Sequence, residues 1–461
     1  MFYSEIHSVQ TMGSILRNGD PEPVLMNDSH GMAIRLIYKG AMSFVATNKL
    51  EFDVIKTMIA NSLNVSRSSN DIEKHQIGLS DEKMGKCKWS ANEKKRVEDR
   101  SLEELLKYLK DLDRLLENGF YEVNFPSRLL VISSEIEEKF YVNSDGADLE
   151  SRVPRIEFSG YISSSYNGKI ESLTIPPGYS QLGGTGGWEV LDSMDLNEYI
   201  PSKGKDLAKM VKSTGKPPKG ELDIILGPEV MGLICHESSG HPGEADRVLG
   251  REAAQAGESY LKRDDFGLKI GSDEAYVSDD PTLTGSTGFY LYDDEGVKAE
   301  KRILINAGHI NEYLHNRTTG KEFNKNSNAS SRAMAYDREP IVRMSNTFVE
   351  PGDYSFKELI EDVKQGVYIK SFMEWNIDDK RFNQRYVGLE SYLIDHGNVG
   401  EIVRNPVLEV TTPKFWSSID ARGDDLEFKT ANCGKGDPMQ GAPVWTGGPH
   451  VRLRRLKVGR R

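Results

Sequence analysis

A chain of 461 residues with 37% hydrophobic and 28% charged residues has an ordinary soluble composition and is long enough for two or three domains. Its net charge of −12 argues against a nucleic-acid partner, because phosphate binding requires clustered Lys and Arg. The one dense basic stretch, Arg452–Arg461, is interpreted as a solvated tail.

Secreted and membrane classes are also disfavoured. Residues 1–10 lack the apolar core of a signal peptide, and the most apolar stretch, Leu222–Cys235, is too short to span a bilayer. Three scattered cysteines do not make a disulfide framework. They are Cys87, Cys235 and Cys433. The sequence therefore predicts a cytoplasmic protein without a membrane partner, whose reduced thiols are free to bind metal.

The chain begins with alternating strand and helix patterns. Residues 31–47 are typical of two strands joined by a turn at Lys39–Gly40. Residues 64–98 are polar and are predicted to be a mobile connection. Ser101–Asn118 is predicted to be a helix, because its leucines recur at helical spacing and Ser101 with Glu104 makes a capping box.

Short strands are predicted over residues 128–175. The glycine cluster at 182–188 is predicted to be a loop, because it lacks the GxGxxG spacing and the following helix of a dinucleotide site. Residues 211–220 combine Pro, Gly and Lys and indicate a linker. The sequence therefore predicts two domains, residues 1–220 and residues 221–461.

The second half opens with a buried-type strand at Leu222–Leu226. A turn follows at Gly227, and Pro228 suits the first position of a helix that leads into a histidine motif. Residues 283–458 read mostly as short strands, with one more helix predicted at 355–365. The predicted fold class is α+β, with an N-terminal α/β region and a C-terminal, largely antiparallel β domain that carries the helix of the metal site.

The histidine motif is His236-Glu237-x-x-x-His241. Residues five apart lie about 140° apart around a regular α-helix, too wide for both imidazoles to reach one ion. A single π-type turn would bring the two rings together. Gly240 supplies slack for such a turn, and Pro242 prevents the helix from continuing normally.

A catalytic zinc site needs three protein ligands and one open position. Cys433, in a glycine-flanked turn, is the best candidate for the third ligand, although a small buried side chain is the usual role of a cysteine. Cys235 is expected to pack into the core, since neighbours on a helix point about 100° apart. The two histidines are alternatively hydrogen-bonded residues at a helix end, with Glu237 as a surface acid.

The run His236–His241, followed by Glu244 and Asp246, resembles the metallopeptidase signature of the TldD/PmbA family, in its catalytic TldD branch. The resemblance extends through five further segments. These are 292–296 (YDDEG), 313–317 (YLHNR), 340–346 (PIVRMSN), 350–352 (EPG) and 432–436 (NCGKG).

The resemblance implies a zinc metallopeptidase with His236, His241 and Cys433 as zinc ligands and Glu237 as the base that activates a zinc-bound water. It also implies a cytoplasmic dimer that hydrolyses short or unfolded peptides. The dimer would be a homodimer or a heterodimer with a metal-free PmbA-like relative. The peptide is expected to be held as an added β-strand. Residues 372–376 (FMEWN) stand where family members commonly carry a glycine-rich strand, so substrate contacts there are expected to differ.

The sequence leaves open which residues orient the metal ligands and which one stabilises the oxyanion. Glu244 and Asp246 are candidates to orient a ligand histidine, and are alternatively caps or exposed acids. Besides zinc, a hydrogen-bond donor is needed to stabilise the oxyanion of the reaction. Three residues are candidates for this role, and each is alternatively a salt-bridge or turn residue. They are His315, Arg317 and Arg343.

Two other functions compete with the peptidase. The chain is alternatively a non-catalytic peptide-binding or scaffold subunit with a structural metal, which would normally have four protein ligands. It is also compatible with a thiol hydrolase that uses Cys433 as the nucleophile and a histidine as the base.

Overall fold

The computed structural model describes residues 2–69, 76–178, 180–252 and 257–461. Within these ranges the chain forms three large sheets and one two-stranded ribbon. Strands make up 43% and helices 22% of the described residues, which confirms the predicted α+β class.

The N-terminal part is built on one sheet. Its elements are β1 (Phe2–Arg17), β2 (Asp20–Pro21), β3 (Leu25–Tyr38), β4 (Ala41–Thr47), α1 (Phe52–Ser69), β5 (Lys86–Ser90), α2 (Leu102–Glu117), β6 (Ser127–Asn143), β7 (Asp148–Tyr166), β8 (Lys169–Ile175), β9 (Leu182–Thr185), α3 (Trp188–Ser193) and α4 (Leu196–Lys212). The strand order is β4-β3-β1-β6-β7-β5, with β2 on β1, and β8 and β9 on β7.

Two predictions for this part are confirmed. The turn at Lys39–Gly40 joins β3 to β4, and Lys39 and Gly40 both have the positive φ that such a turn requires. Helix α2 begins after Ser101, whose side chain accepts from the Glu104 N–H while Glu104 accepts from the Ser101 N–H. Its buried leucines face the sheet, as the helical spacing predicts.

Three predictions for this part are wrong. The connection predicted at 64–98 begins inside α1 and contains β5, while its residues 70–75 lie outside the described residues. The glycine cluster forms β9, paired with β7, and α3 follows it directly. The strands of 128–175 are long, because β6 and β7 pair along nearly their whole length.

The C-terminal part contains two further large sheets. Its elements are β10 (Gly220–Leu226), α5 (Pro228–Cys235), a π-helical turn (His236–Gly240), a 3-10 turn (His241–Gly243), α6 (Ala245–Val248), β11 (Val277–Asp279), β12 (Arg302–Asn306), β13 (His309–Ile310), α7 (Arg317–Glu322), β14 (Ser331–Arg332), β15 (Ile341–Val342), β16 (Asn346–Val349), α8 (Phe356–Ile360), β17 (Gln365–Ile369), β18 (Phe372–Ile377), β19 (Asn383–Gly388), β20 (Ser391–Asp395), β21 (Asn398–Ile402), β22 (Pro406–Thr411), α9 (Thr412–Ser418), β23 (Ile419–Arg422), β24 (Glu427–Lys435), β25 (Gln440–Gly448) and β26 (Val451–Arg460).

The two sheets enclose α5. One has the order β18-β19-β22-β26-β10-β17-β20-β21, with β23 on β26, and the other has the order β13-β12-β11-β16-β25-β24. All strand pairs in them are antiparallel except β10–β17 and β16–β25, so the expectation of a largely antiparallel region is confirmed. Met231, Ile234 and Cys235 of α5 are buried in the core between the sheets.

Two element predictions in this part need correction. The helix predicted at 355–365 ends at Ile360, and β17 begins at Gln365. The basic stretch Arg452–Arg461 is not a solvated tail. It lies almost entirely in β26, where Arg452 and Arg454 pair with carboxylates of neighbouring elements.

The predicted boundary at residue 220 coincides with the first residue of β10, just after the segment that follows α4, and the division stays a prediction. A separate buried cluster underlies the N-terminal sheet, where α2 and α4 pack their leucines on it. Among the described helices, none has the length and apolarity to cross a membrane.

Candidate metal centre

Strand β10 ends in the buried core, and α5 follows it, with Pro228 in its first turn. The helix changes to a π-helical turn at His236, where the His241 N–H donates to the His236 carbonyl five residues earlier. The two imidazole rings lie 4.8 Å apart between centroids and are nearly perpendicular, at 83°. The π-type turn predicted from the spacing is therefore present.

Gly240 has a different role from the predicted one. Its φ of −60° is ordinary for a helix, so glycine is not needed for backbone freedom. A Cβ at this position would lie 1.9 Å from Sδ of Met344, which is fully buried. The glycine is therefore required by the close approach of the π-turn to Met344.

Cys433 reaches this turn from β24, at the edge of its sheet. Its Sγ lies 3.3 Å from Nε2 of His241. One ligating atom each from His236, His241 and Cys433 lies within 4.8 Å of the others, and all three side chains are buried. The structure thus brings together the three residues predicted as ligands.

Glu244 fixes the orientation of His241. Its Oε2 lies 3.0 Å from Nδ1 of His241 and accepts from Nε of Arg247 at 2.6 Å. A carboxylate acceptor assigns the proton to Nδ1 and leaves the Nε2 lone pair directed at Cys433. Asp246, the other candidate for this role, binds Nζ of Lys435 at 2.7 Å instead.

The three side chains fit a divalent metal with a preference for nitrogen and sulfur ligands. Nδ1 of His236 is buried without a hydrogen-bond partner among the described residues. Burial would raise the pKa of the Cys433 thiol, but the charges of His241 and Arg343 outweigh it and lower the pKa to about 7. A thiolate is the form that ligates metal.

Glu237 lies in the same cavity and pairs with Arg381, which comes from the turn between β18 and β19. Both side chains are about 93% buried. Burial would raise the pKa of Glu237, but the charges of Arg381 and the two histidines outweigh it and lower the pKa below its ordinary value. The carboxylate is therefore held ionised, as a proton acceptor must be.

The cavity in front of these residues has a volume of about 250 Å³. Its apolar walls come from α5 and from β18. Its polar walls carry both acidic and basic groups. The lining includes Leu233, Phe372, Trp375, Glu229, Lys429 and Asn432.

Comparison with known proteins places this chain in a family. Models of the PmbA/TldA metallopeptidase central domain and C-terminal domain match residues 95–214 and 219–460. The chain is 30% identical over 438 residues to a metalloprotease from Methanocaldococcus jannaschii, which spans 95% of this chain and 92% of that protein. The chain belongs to the PmbA/TldD metallopeptidase family. A zinc metalloprotease TldD homolog from Saccharolobus solfataricus is 26% identical to this PmbA/TldD chain over 433 residues, 93% of this chain and 90% of that protein.

Solved structures share the fold. TldE from Thermococcus kodakarensis matches the PmbA/TldD chain with a TM-score of 0.75 at 13% identity, over 99% of this chain and 96% of that one. A Thermotoga maritima protein named as a modulator of a DNA gyrase matches with a TM-score of 0.77 at 15% identity, over 99% and 96%. At these identities the likeness shows the fold alone.

Three residues of the PmbA/TldD motifs were candidates for oxyanion binding, and all three contact other groups. Arg317 binds Glu82 and Asp145, outside the residues that line the metal cavity. Nδ1 of His315 lies 3.2 Å from the hydroxyl of Thr319. Arg343 donates hydrogen bonds to the backbone carbonyls of Cys433 and Gln440, so it holds the backbone that carries Cys433 in place.

Sequence reasoning missed the cations that do line the cavity. Arg381 and Lys429 lie in no motif, and 144 residues separate Arg381 from Glu237. The only available signal was the neighbouring segment 372–376, in which the family pattern already differs. Cys235 is buried with its Sγ near the Gly447 carbonyl, as expected for a core residue.

Proposed function

We propose that this chain is a zinc metallopeptidase that hydrolyses peptide bonds in short or unfolded peptides. His236, His241 and Cys433 are the zinc ligands, and Glu237 is the catalytic base. The observation that carries the proposal is the meeting of these three side chains, 4.8 Å or less between ligating atoms, beside a buried carboxylate in one cavity.

The ligand count supports a catalytic metal over a structural one. A structural zinc site normally has four protein ligands, whereas a catalytic site has three and an open position. Among the described residues, the cluster contains three potential ligands. The scaffold alternative is therefore the weaker one.

The chain's own residues supply the catalytic base and hold the base and a metal-cluster histidine in position. Zinc, when bound, acts as a Lewis acid that polarises a peptide carbonyl and makes water more acidic. Glu237 accepts a proton from the attacking water and delivers it to the leaving amine. Arg381 keeps the Glu237 carboxylate ionised and fixed in place, and Glu244 holds the tautomer of His241.

Strand β24 offers an edge to which a peptide can add. Thr430 exchanges backbone hydrogen bonds with Gln181, at 2.7 and 3.0 Å, so its N–H and C=O point away from β25. Because this direction repeats every second residue, the N–H and C=O of Asn432 point the same way. Asn432 is exposed and lies next to Cys433. We propose that the peptide pairs with the chain here, through backbone hydrogen bonds.

One observation favours a second candidate, the thiol hydrolase. The Cys433 thiol has a lowered pKa and lies within 3.3 Å of a histidine nitrogen, as in a Cys–His pair. A thiol hydrolase would keep its activity after metal removal and lose it on alkylation with the metal still bound. A zinc enzyme would show the opposite response to chelation.

The test compares zinc content and cleavage of unstructured peptides in the wild type and in Glu237→Gln. We expect both proteins to bind about one zinc per chain, and the variant to lose about 10²- to 10⁴-fold in kcat, the usual contribution of a general base. Glu221→Gln, which alters an exposed acid of β10 outside the cluster, is the control and should keep its activity. A fully active Glu237→Gln variant would rule out the assigned base.

We also propose that the active form is a dimer, either of two copies of this chain or of this chain with a metal-free PmbA-like relative. Peptidase activity and molar mass by light scattering, measured with and without such a relative, distinguish the two. Activity of the isolated chain as a dimer supports the homodimer. Activity that appears only with the relative supports the heterodimer.

A further inference from the structure

A second cavity lies on the other side of the β24–β25 hairpin from the metal cluster. It has a volume of about 390 Å³ and is enclosed between the N-terminal sheet and the C-terminal part of the chain. Its walls include residues of β6 and β7 on one side and Tyr290, Arg332 and Pro443 on the other. We name it the hairpin cavity.

The carboxylates that line the hairpin cavity already have partners. Glu135 and Glu137 bind Arg155, at 2.9 and 2.8 Å. Asp294 binds Nζ of Lys139 at 2.8 Å. Asp293 accepts three backbone N–H groups, at 2.9 to 3.1 Å. None of these acids therefore needs a further cation.

Arg332 differs from these paired groups. Its side chain is buried, with 9% of the residue exposed, and it lies over the Tyr290 ring at 5.4 Å. Nη1 donates to the Met344 carbonyl at 2.9 Å. In the described ranges, the bond to Met344 is the one hydrogen bond of the Arg332 guanidinium, and no carboxylate lies within 4.0 Å of it. Burial holds the pKa of Arg332 below its ordinary value, with Arg155 and Arg343 adding to the effect.

A buried, unpaired guanidinium facing a cavity is unfavourable until an anion binds it. Its two free nitrogens present the fork that matches the two oxygens of a carboxylate. The cavity is large enough for part of a peptide, and its walls mix aromatic and polar groups as ligand sites do.

Asn432 connects the hairpin cavity to the metal cavity. It lines both cavities and lies on the open edge of β24, beside Cys433. Cys433 and Asn432 are consecutive in a strand, so their side chains point to opposite faces of the sheet. A peptide that runs along this edge therefore has access to the metal on one face and to Arg332 on the other.

We propose that the hairpin cavity is a carboxylate-binding subsite, in which Arg332 holds a carboxylate of the peptide that lies along β24. The carboxylate belongs either to the C-terminus of the peptide or to an acidic side chain. The inference rests on the proposed peptidase function, since it takes a peptide as the ligand.

The experiment measures peptide affinity by isothermal titration calorimetry on the zinc-loaded Glu237→Gln protein, which is expected to cleave the peptide at least about a hundredfold more slowly than the wild type. Three N-acetylated pentapeptides of otherwise identical sequence are compared. One has a free C-terminal carboxylate, one has a C-terminal carboxamide, and one has the carboxamide together with a Gln→Glu change. We expect at least one carboxylate peptide to bind about tenfold or more tightly than the neutral one, as one charge-assisted bidentate contact provides.

Adding Arg332→Gln should bring the three affinities to within about twofold of one another. Arg338→Gln removes a partly exposed arginine, paired with Asp337, from the same segment and serves as the matched control, which should keep the preference. If Arg332→Gln does not fold, Arg332→Lys keeps the charge without the fork and should weaken the carboxylate peptides at least threefold. Circular dichroism and melting curves check each variant.

Equal affinities of the three peptides for the Glu237→Gln protein would overturn the proposal, as would a preference that survives Arg332→Gln. A preference for the free C-terminus alone identifies the terminal carboxylate as the ligand, and a preference for the Glu peptide identifies the side chain. Failure of the peptidase function itself is seen separately, as a zinc-loaded wild type that does not cleave.

Discussion

Glu229 lies two helical turns before His236 on α5 and lines the metal cavity. Burial raises its pKa to about 8, although Lys429 and Lys203 oppose the effect. The folded protein therefore binds a proton that the unfolded chain releases near pH 4.5, and the free energy of unfolding falls as the pH rises from about 4.5 to 8.

Glu229→Gln mimics the protonated carboxyl and should remove this dependence. We expect the melting temperature of the variant to match that of the wild type at pH 5 and to exceed it by a few degrees at pH 8.5. Glu221→Gln, at an exposed position of β10, is the control. Parallel pH profiles for Glu229→Gln and the wild type would contradict the assignment of a proton to Glu229.

Arg381 is paired with Glu237, the proposed base, and replacing Arg381 tests whether this ion pair contributes to catalysis. Replacing Arg381 with Gln leaves the buried Glu237 without its cation, so the pKa of Glu237 rises and the base is protonated at a higher pH. We expect kcat/KM of Arg381→Gln to fall about tenfold or more at neutral pH, and the acid limb of its pH profile to move to higher pH. Arg381→Lys should retain more of the activity, and an unshifted acid limb in Arg381→Gln would argue against the pair.

At the residue scale, the sequence predicted the three metal-cluster residues and Glu237 because motifs and spacing carry that information. Glu244 was one of two candidates for orienting a histidine, and the sequence did not separate it from Asp246; the contact with His241 decides for Glu244. Arg381 was not predictable, because its turn lies 144 residues from Glu237 and no local sequence pattern relates the two positions. Arg332 was likewise not predictable as a carboxylate-binding residue, because this role depends on whether any carboxylate of the chain lies near it in three dimensions.

Among the elements, the π-turn depends most on one position. Gly240→Ala places a methyl group against the buried Met344, and overpacking of this kind costs about 1–3 kcal/mol. We expect the variant to lower the melting temperature and to weaken zinc binding, measured by metal competition. Gly243→Ala is the matched control, because its added Cβ meets nothing within 4 Å. Equal losses in the two variants would show that the contact with Met344 is unimportant.

Elements with strong periodicity were predictable, and those stabilised by other means were not. Helix α2 has both a leucine stripe and a capping box. Helix α1 buries Ser62 and Ser66, which bond to the Ser43 hydroxyl instead of forming an apolar stripe. Helix α4 contains Pro201, a residue that normally ends a helical pattern. Propensity and periodicity therefore identify only part of the helices.

At the scale of the whole molecule, the proposed zinc joins two distant parts of the chain, strand β24 and the turns that follow α5. Removing it with a chelator should abolish peptidase activity and lower the melting temperature, because a ligand at 1,000 times its Kd stabilises by about 4 kcal/mol. Zinc should restore both properties and Mg²⁺ should not, since thiolate and imidazole ligands disfavour Mg²⁺. The Cys433→Ser variant is expected to melt at the same temperature with and without the chelator, and activity that survives chelation would favour the thiol hydrolase.

The arrangement of the sheets lay beyond sequence reasoning. Strand β10 pairs with β26, so that Ile224 lies opposite Leu453, and β16 pairs with β25 in parallel. Such long-range pairings are set by which faces pack together in three dimensions, and a single sequence does not encode them as a local pattern. The mixed fold class was predictable because the sequence contains both strand and helix patterns, with strand patterns dominating residues 283–458.

The distance along the chain between the ligands has a consequence for biosynthesis. Cys433 follows His241 by 192 residues, so a growing chain carries both histidines long before the thiol that joins them. At 5–20 residues per second, synthesis of the intervening segment takes about 10 to 40 s. During that interval the nascent chain, itself an unfolded polypeptide, has no complete metal centre beside it. With the proposed ligands, this order delays the appearance of an active peptidase until most of its own sequence has been made.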